Sequence, residues 1–179
     1  NLDKALEMAM REKNDTMLCL VYGVMGEYAA NIDTDYYQAI RHIYKGIELA
    51  QQHRNRRQYG LLLSQLANTY YLKRNGGGLK YALESYELGC ELNDTFLIYS
   101  GAIQSAYMYF LKKQYTQAMA YAQESETLMT KHGFHDQAHT FNLLGHLLDE
   151  RGNYPQAIEY YRKAMKDKQA SQTSSVIYA

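Results

Sequence analysis

Four histidines fall close together late in the chain, at His132, His135, His139 and His146. His135 and His139 stand four residues apart, the helical spacing that presents two imidazoles to one metal ion. A hydrolytic metal centre needs a third ligand, and Asp136 points off the face the two share. His139 and His146 are two turns apart, about 10 Å by helix rise, too far to hold one ion together. No metal site or other cofactor is therefore assigned to the chain.

A second chemical candidate is "RNGGGLKYA" at 74–82, where three glycines precede an apolar stretch. Glycine-rich loops before helices cradle phosphates, but the P-loop needs GxxxxGK[ST] after a strand. Neither the lysine spacing nor a strand is present. No Ser/His/Asp or Cys/His set is suggested by spacing, and no paired carboxylates lie in an apolar setting. Cys19 and Cys90 show no CxxC pattern and read as small apolar residues on helices. No catalytic residue is assigned, and the expectation is a non-enzyme.

Composition narrows the partners. The 46% hydrophobic content suits a folded chain, and 19 basic residues balance 19 acidic ones. No overall field favours nucleic acid or an anionic membrane. The basic cluster His53-Arg54-Asn55-Arg56-Arg57 reads as a solvated turn between helices. No apolar run approaches the roughly 20 residues of a membrane helix. Residue 1 is Asn and enters directly into a helical pattern, so the chain reads as an excerpt of a longer one.

The elements that position these residues come from internal repetition. "YYQA" at 36–39, "YTQA" at 115–118 and "YPQA" at 154–157 are one tetrapeptide, with "LKYA" at 79–82 a looser copy. Asn14-Asp15-Thr16 recurs as Asn93-Asp94-Thr95, which places Asp15/Thr16 and Asp94/Thr95 at helix N-caps. Each unit holds two helices. In the last, they span about 136–151 and 154–168, with Gly152 in the turn and Pro155 in the first turn of the second helix. Ala67 to Ala82 is 15 residues, against 12 for Ala106 to Ala118 and for Gly145 to Ala157. Gly76-Gly77-Gly78 is thus an insertion, expected as a loose, mobile hairpin tip.

Phe141-x2-Leu144-Gly145-x2-Leu148 followed by Ala157-x3-Tyr161 and Ala164 resembles the tetratricopeptide repeat. Leu63-x2-Leu66-Ala67-x2-Tyr70 with Ala82-x3-Tyr86 matches again, and Ala102-x2-Ser105-Ala106-x2-Tyr109 with Ala118-x3-Ala122 more weakly. Ala39-x3-Ile43 fits a second helix, whereas the helix around Gly23 and Gly26 gives no clean register. The resemblance implies an all-α, right-handed superhelical solenoid of antiparallel helix pairs. It divides residues 1–179 into a truncated second helix (1–13), units at 14–53, 54–92, 93–132 and 133–168, and a tail or start of a further helix (169–179). Small residues at Ala67, Ala106, Gly145 and the recurring alanines are expected where helices cross. Seven of the 19 tyrosines, Tyr36, Tyr70, Tyr86, Tyr109, Tyr115, Tyr154 and Tyr161, are expected to fill the interior.

In this family, one face of each first helix lines a concave groove. The resemblance then places Leu61, Ser64, Asn68 and Tyr71 there, followed by Ser100, Ile103, Gln104, Tyr107 and Phe110, then His139, Asn142, His146 and Asp149. From these, the binding residues are taken as Asn68, Tyr71, Gln104, Tyr107, Phe110, His139, Asn142, His146 and Asp149. None of them is Lys or Arg, which argues against a clamp for a C-terminal carboxylate. The expected partner is a protein or peptide in the groove, with no nucleic acid bound directly and the oligomeric state open. Long-spaced, tyrosine-rich arrays are similar to sensory or interaction regions of bacterial regulators such as two-component sensor kinases. A stand-alone, cytoplasmic peptide-responsive regulator is the alternative, and a metal-dependent enzyme using the late histidines is a third. The compartment follows from this choice: periplasmic within a membrane sensor kinase, otherwise cytoplasmic.

Overall fold

One turn design joins the helices. The structure, a computed structural model, describes residues 2–134 and 137–177, with side chains as far as residue 167. Its helices are α1 (Leu2–Arg11), α2 (Asp15–Asn31), α3 (Tyr36–Gln52), α4 (Arg56–Leu72), α5 (Leu79–Leu92), α6 (Thr95–Leu111), α7 (Tyr115–His132), α8 (Ala138–Asp149) and α9 (Tyr154–Ile177). Among the described residues, each junction carries one residue at left-handed φ: Lys13, Thr34, Arg54, Arg74, Asn93, Lys113, Gly133 and Gly152. The next N–H returns to the closing turn of the helix before it, as from Asn55 to Ala50 O (2.8 Å) and Gln114 to Tyr109 O (2.9 Å). That bond satisfies a carbonyl left open at the helix end.

The same residue often begins the next helix. Asn14, Asp35, Asn55 and Asp94 accept from the N–H groups of Met17, Gln38, Gln58 and Leu97. Such a cap is worth about 1 kcal/mol. Fusing the two caps folds each helix back on the last within a few residues. The two Asn-Asp-Thr copies are therefore not equivalent, since Asn14 caps α2 while Asp94 caps α6. Asp15, expected as a cap, pairs instead with His53 at 2.9 Å.

Small residues set how closely the helices pack. Ala39, Ala67, Ala82, Ala106, Ala118 and Ala122 are completely buried, and Ala157 and Ala164 nearly so. A Cβ on Gly145 would stand 2.6 Å from the Tyr161 ring. Around these contacts Leu66, Met108 and Leu144 fill the core, each burial stabilising by about 1.5–3 kcal/mol. Gly26 does the same work against Ile43 and the Ala39 carbonyl, which puts α2 in register with its sister helices.

The first helices form an inner layer in which α2 packs on α4, α4 on α6, and α6 on α8. The second helices α3, α5, α7 and α9 form an outer layer. Among the described residues, no Cα of one outer helix comes within 8 Å of a Cα of the next. The array is therefore narrower inside than outside and must curve. Long side chains span the outer gap: Tyr44 Oη lies 2.7 Å from Tyr81 Oη, Tyr86 donates to Glu124 (2.9 Å), and Tyr160 donates to Glu126 (3.0 Å). A tyrosine has the reach and a polar tip for that task, which accounts for Tyr44, Tyr81, Tyr86 and Tyr160. Burial, then Glu126, pushes the Tyr160 hydroxyl up to about 12.

Three expectations change. Gly76–Gly78 is not a loose tip but a turn of 3-10 helix whose Gly78 is buried. A Cβ there would meet Tyr70 Cβ at 2.7 Å and Met108 Sδ at 2.9 Å, so the inserted turn is packed between α4 and α6. Tyr154 is 61% exposed rather than interior. Cys19 is buried as expected, but Cys90 is exposed.

Candidate functional site

The inner layer exposes a groove whose larger cavity, about 500 Å³, is lined from four helices. α2 supplies Glu27 and Asn31, and α4 supplies Asn68, Tyr71 and Leu72. α6 supplies Phe96, Tyr99, Ser100, Ile103, Gln104 and Tyr107, and α8 adds His139. These stripes arise because residues three and four apart share a helix face. A smaller cavity of about 200 Å³ continues from it, walled by Leu20, Val24, Leu61, Leu62 and Phe96. Glu27, Phe96 and Ser100 line both.

Hydrogen bonds fix the floor. Ser64 Oγ lies 2.6 Å from Ser100 Oγ and ties α4 to α6. Gln65 Nε2 donates to Glu27 Oε1 at 2.9 Å and ties α4 to α2. Tyr107 Oη donates to the His139 carbonyl at 2.9 Å, and its ring meets that of Tyr71 at 4.6 Å between centroids. Burial raises the Tyr71 hydroxyl pKa, with Arg74 opposing, so this ring stays neutral. Gln104 Oε1 is buried without a hydrogen-bond partner.

Of the residues assigned from sequence, the groove brings together Asn68, Tyr71, Gln104, Tyr107 and His139. Phe110 packs elsewhere, 5.8 Å from the Tyr115 ring and 6.2 Å from that of His146. His146 Nδ1 lies 3.0 Å from Tyr161 Oη. Asn142, His146 and Asp149 are exposed on α8 outside both cavities. The sequence reading missed Glu27, Asn31, Leu20 and Val24 because α2 had no register. A count of 12 residues back from Gly26 to Asn14, as from Ala67 to Asn55 and Ala106 to Asp94, would have found it.

One other recess holds groups that chemistry could use. Cys19, Asp15 and His53 line a cavity of about 500 Å³ at the turns before α2 and α4. Nucleophilic chemistry there needs a thiolate. Cys19 is only 1% exposed, its thiol lies 3.6 Å from the Gly46 carbonyl, and burial followed by Asp15 pushes its pKa up. The thiol is held protonated. Among the described residues, no group of three or more His, Cys, Asp or Glu could hold a metal; His135 and Asp136 of the late cluster lie outside them. Among the same residues no helix is long and apolar enough to cross a membrane.

Helix pairs stacked into an inner and an outer layer define an all-α helical-repeat solenoid. The family model of the tetratricopeptide repeat matches residues 94–170, from the cap of α6 into α9. That match supports a protein-interaction module. The crystal structure of BtubC (BKLC) from P. vanneervenii is similar, with a TM-score of 0.67 at 13% sequence identity over 89% of this chain. The match spans 66% of that structure's length, and at such identity the likeness concerns the fold. No curated protein matches the sequence.

Proposed function

We propose that this chain is a non-catalytic module that binds a peptide segment of another protein in its concave groove. We further propose that it serves as the sensory or interaction region of a larger bacterial regulator. The array then divides into units at 14–53, 54–92, 93–132 and 133–168. The observation that carries the binding reading is the continuous groove, which combines an apolar compartment with amides from three successive inner helices, Asn31, Asn68 and Gln104. Amide side chains both donate and accept, the pairing an extended backbone requires. Gln104 adds a specific reason for a ligand. Its unpaired acceptor costs about 1–3 kcal/mol, which a rotation of the side chain toward a peptide N–H would recover. Placement in a regulator rests on the resemblance to long-spaced, tyrosine-rich arrays, an argument by analogy.

The test uses linear peptides selected from a random display library against the whole chain. Phe96→Ala combined with Tyr107→Ala is expected to weaken a selected peptide about tenfold or more, with the helical circular dichroism signal unchanged. Unchanged affinity would move the binding surface away from the groove.

A further inference from the structure

We propose that the groove's ligand is an extended peptide that sets a lysine or arginine against Glu27, with an apolar side chain within two residues of it. This inference rests on the reading of the groove as the binding site and names the class of peptide it takes.

Glu27 stands where the two cavities meet, since it lines both. Its carboxylate accepts one hydrogen bond, at Oε1 from Gln65, and no Lys, Arg or His pairs with it among the described residues. Neither cavity is lined by Lys or Arg. Glu27 is the one carboxylate among the residues that line either cavity, in a chain whose formal charge balances at zero. A ligand that buries Glu27 without neutralising it would strand a charge, and an acidic ligand would face it with like charge. A basic side chain completes it with a charge-assisted hydrogen bond.

The neighbouring wall specifies the second element. Leu20, Val24 and Phe96 are 43%, 46% and 42% exposed, although large apolar side chains elsewhere along the inner layer, such as Leu66 and Leu143, are buried. Together with Leu61 they border the smaller cavity directly beside Glu27. An extended strand directs alternate side chains to the same side. A peptide lying along the inner layer can therefore reach the carboxylate and the apolar wall with residues two apart. The stem of the basic residue, itself apolar, lies over the same wall.

The probes are peptides selected from a random display library on the whole chain, each remade with its basic residues replaced by glutamine. Selected peptides should be enriched in Lys or Arg within two residues of an apolar side chain. Glu27→Gln, which keeps the shape and the contact with Gln65, should weaken the basic peptide about threefold to tenfold. It should leave the glutamine counterpart unchanged, and the difference should shrink as salt is raised. Equal effects of Glu27→Gln on both peptides, or no enrichment of basic residues among peptides that depend on Phe96 and Tyr107, overturn this inference and leave the groove as the binding site. Selected peptides indifferent to Phe96→Ala with Tyr107→Ala overturn both.

Discussion

Gly101 of α6 lies directly on the backbone of Tyr86 in α5: a Cβ at Gly101 would stand 2.5 Å from Tyr86 Cα and closer still to its nitrogen. Backbone cannot swing aside as a side-chain tip can, so this contact sets the spacing between two units. Gly101→Ala is expected to cost about 3 kcal/mol through overpacking. Gly76→Ala, whose nearest neighbour is the flexible Lys112 Cγ at 3.5 Å, should change stability by less than about 0.5 kcal/mol. Urea unfolding of the two variants provides the comparison, and equal effects would contradict the packing described.

The turns predict opposite signs at equivalent positions. Lys13, Arg54, Arg74 and Lys113 hold φ between 51° and 60°, where an L-residue pays about 1–2 kcal/mol and glycine pays about 0.5–1 kcal/mol in chain entropy. Changing Arg54 or Lys113 to glycine should therefore stabilise the chain by about 0.5–1 kcal/mol. Gly133→Ala, at φ 66° with open space around the new methyl, should destabilise it by a similar amount. Thermal or urea melts read both, and stabilisation by Gly133→Ala would refute the account of the turn.

Asp94 supplies a pH dependence. Burial pushes its carboxyl pKa up, but the Leu97 N–H and the Arg57 guanidinium, 2.5 Å away, outweigh burial and hold it below the ordinary value. A depressed folded pKa gives stability that is full above the unfolded value, near 3.9, and disappears as the pH falls through the folded value. Asp94→Asn keeps a capping oxygen and removes the charge. The wild type should exceed it by about 1 kcal/mol at neutral pH, discounted for the exposure of Arg57, with the gap closing in acid. A gap independent of pH in a series of urea melts would contradict this assignment.

The helix pairs were legible because the recurring alanines mark contacts that tolerate only a small side chain. Counting between Ala67 and Ala82 also located the glycine insertion, but not its packing, because a count carries no information on what surrounds Gly78. The turns were mostly illegible for another reason. Lysine and arginine carry the left-handed conformation where glycine would have announced it, and the fused caps around them hold it in place. In α2, Ala29 stands where its sister helices have Tyr70, Tyr109 and Leu148, and Gly26 to Ala39 is one residue longer than the 12 of the last two units. Those two departures hid its register and, with it, Glu27 and the apolar wall. Phe110 and His146 follow the helical stripe but are drawn to Tyr115 and Tyr161, a tertiary preference that periodicity does not encode.

The claim that the concave groove receives a peptide is tested most directly by amide chemical-shift mapping of the whole chain with a selected peptide. The largest changes should fall on Asn31, Asn68, Gln104 and Tyr107, along successive inner helices, while Tyr44 and Tyr81 of the outer layer stay unmoved. Changes confined to the outer helices or to the ends of the array would contradict it.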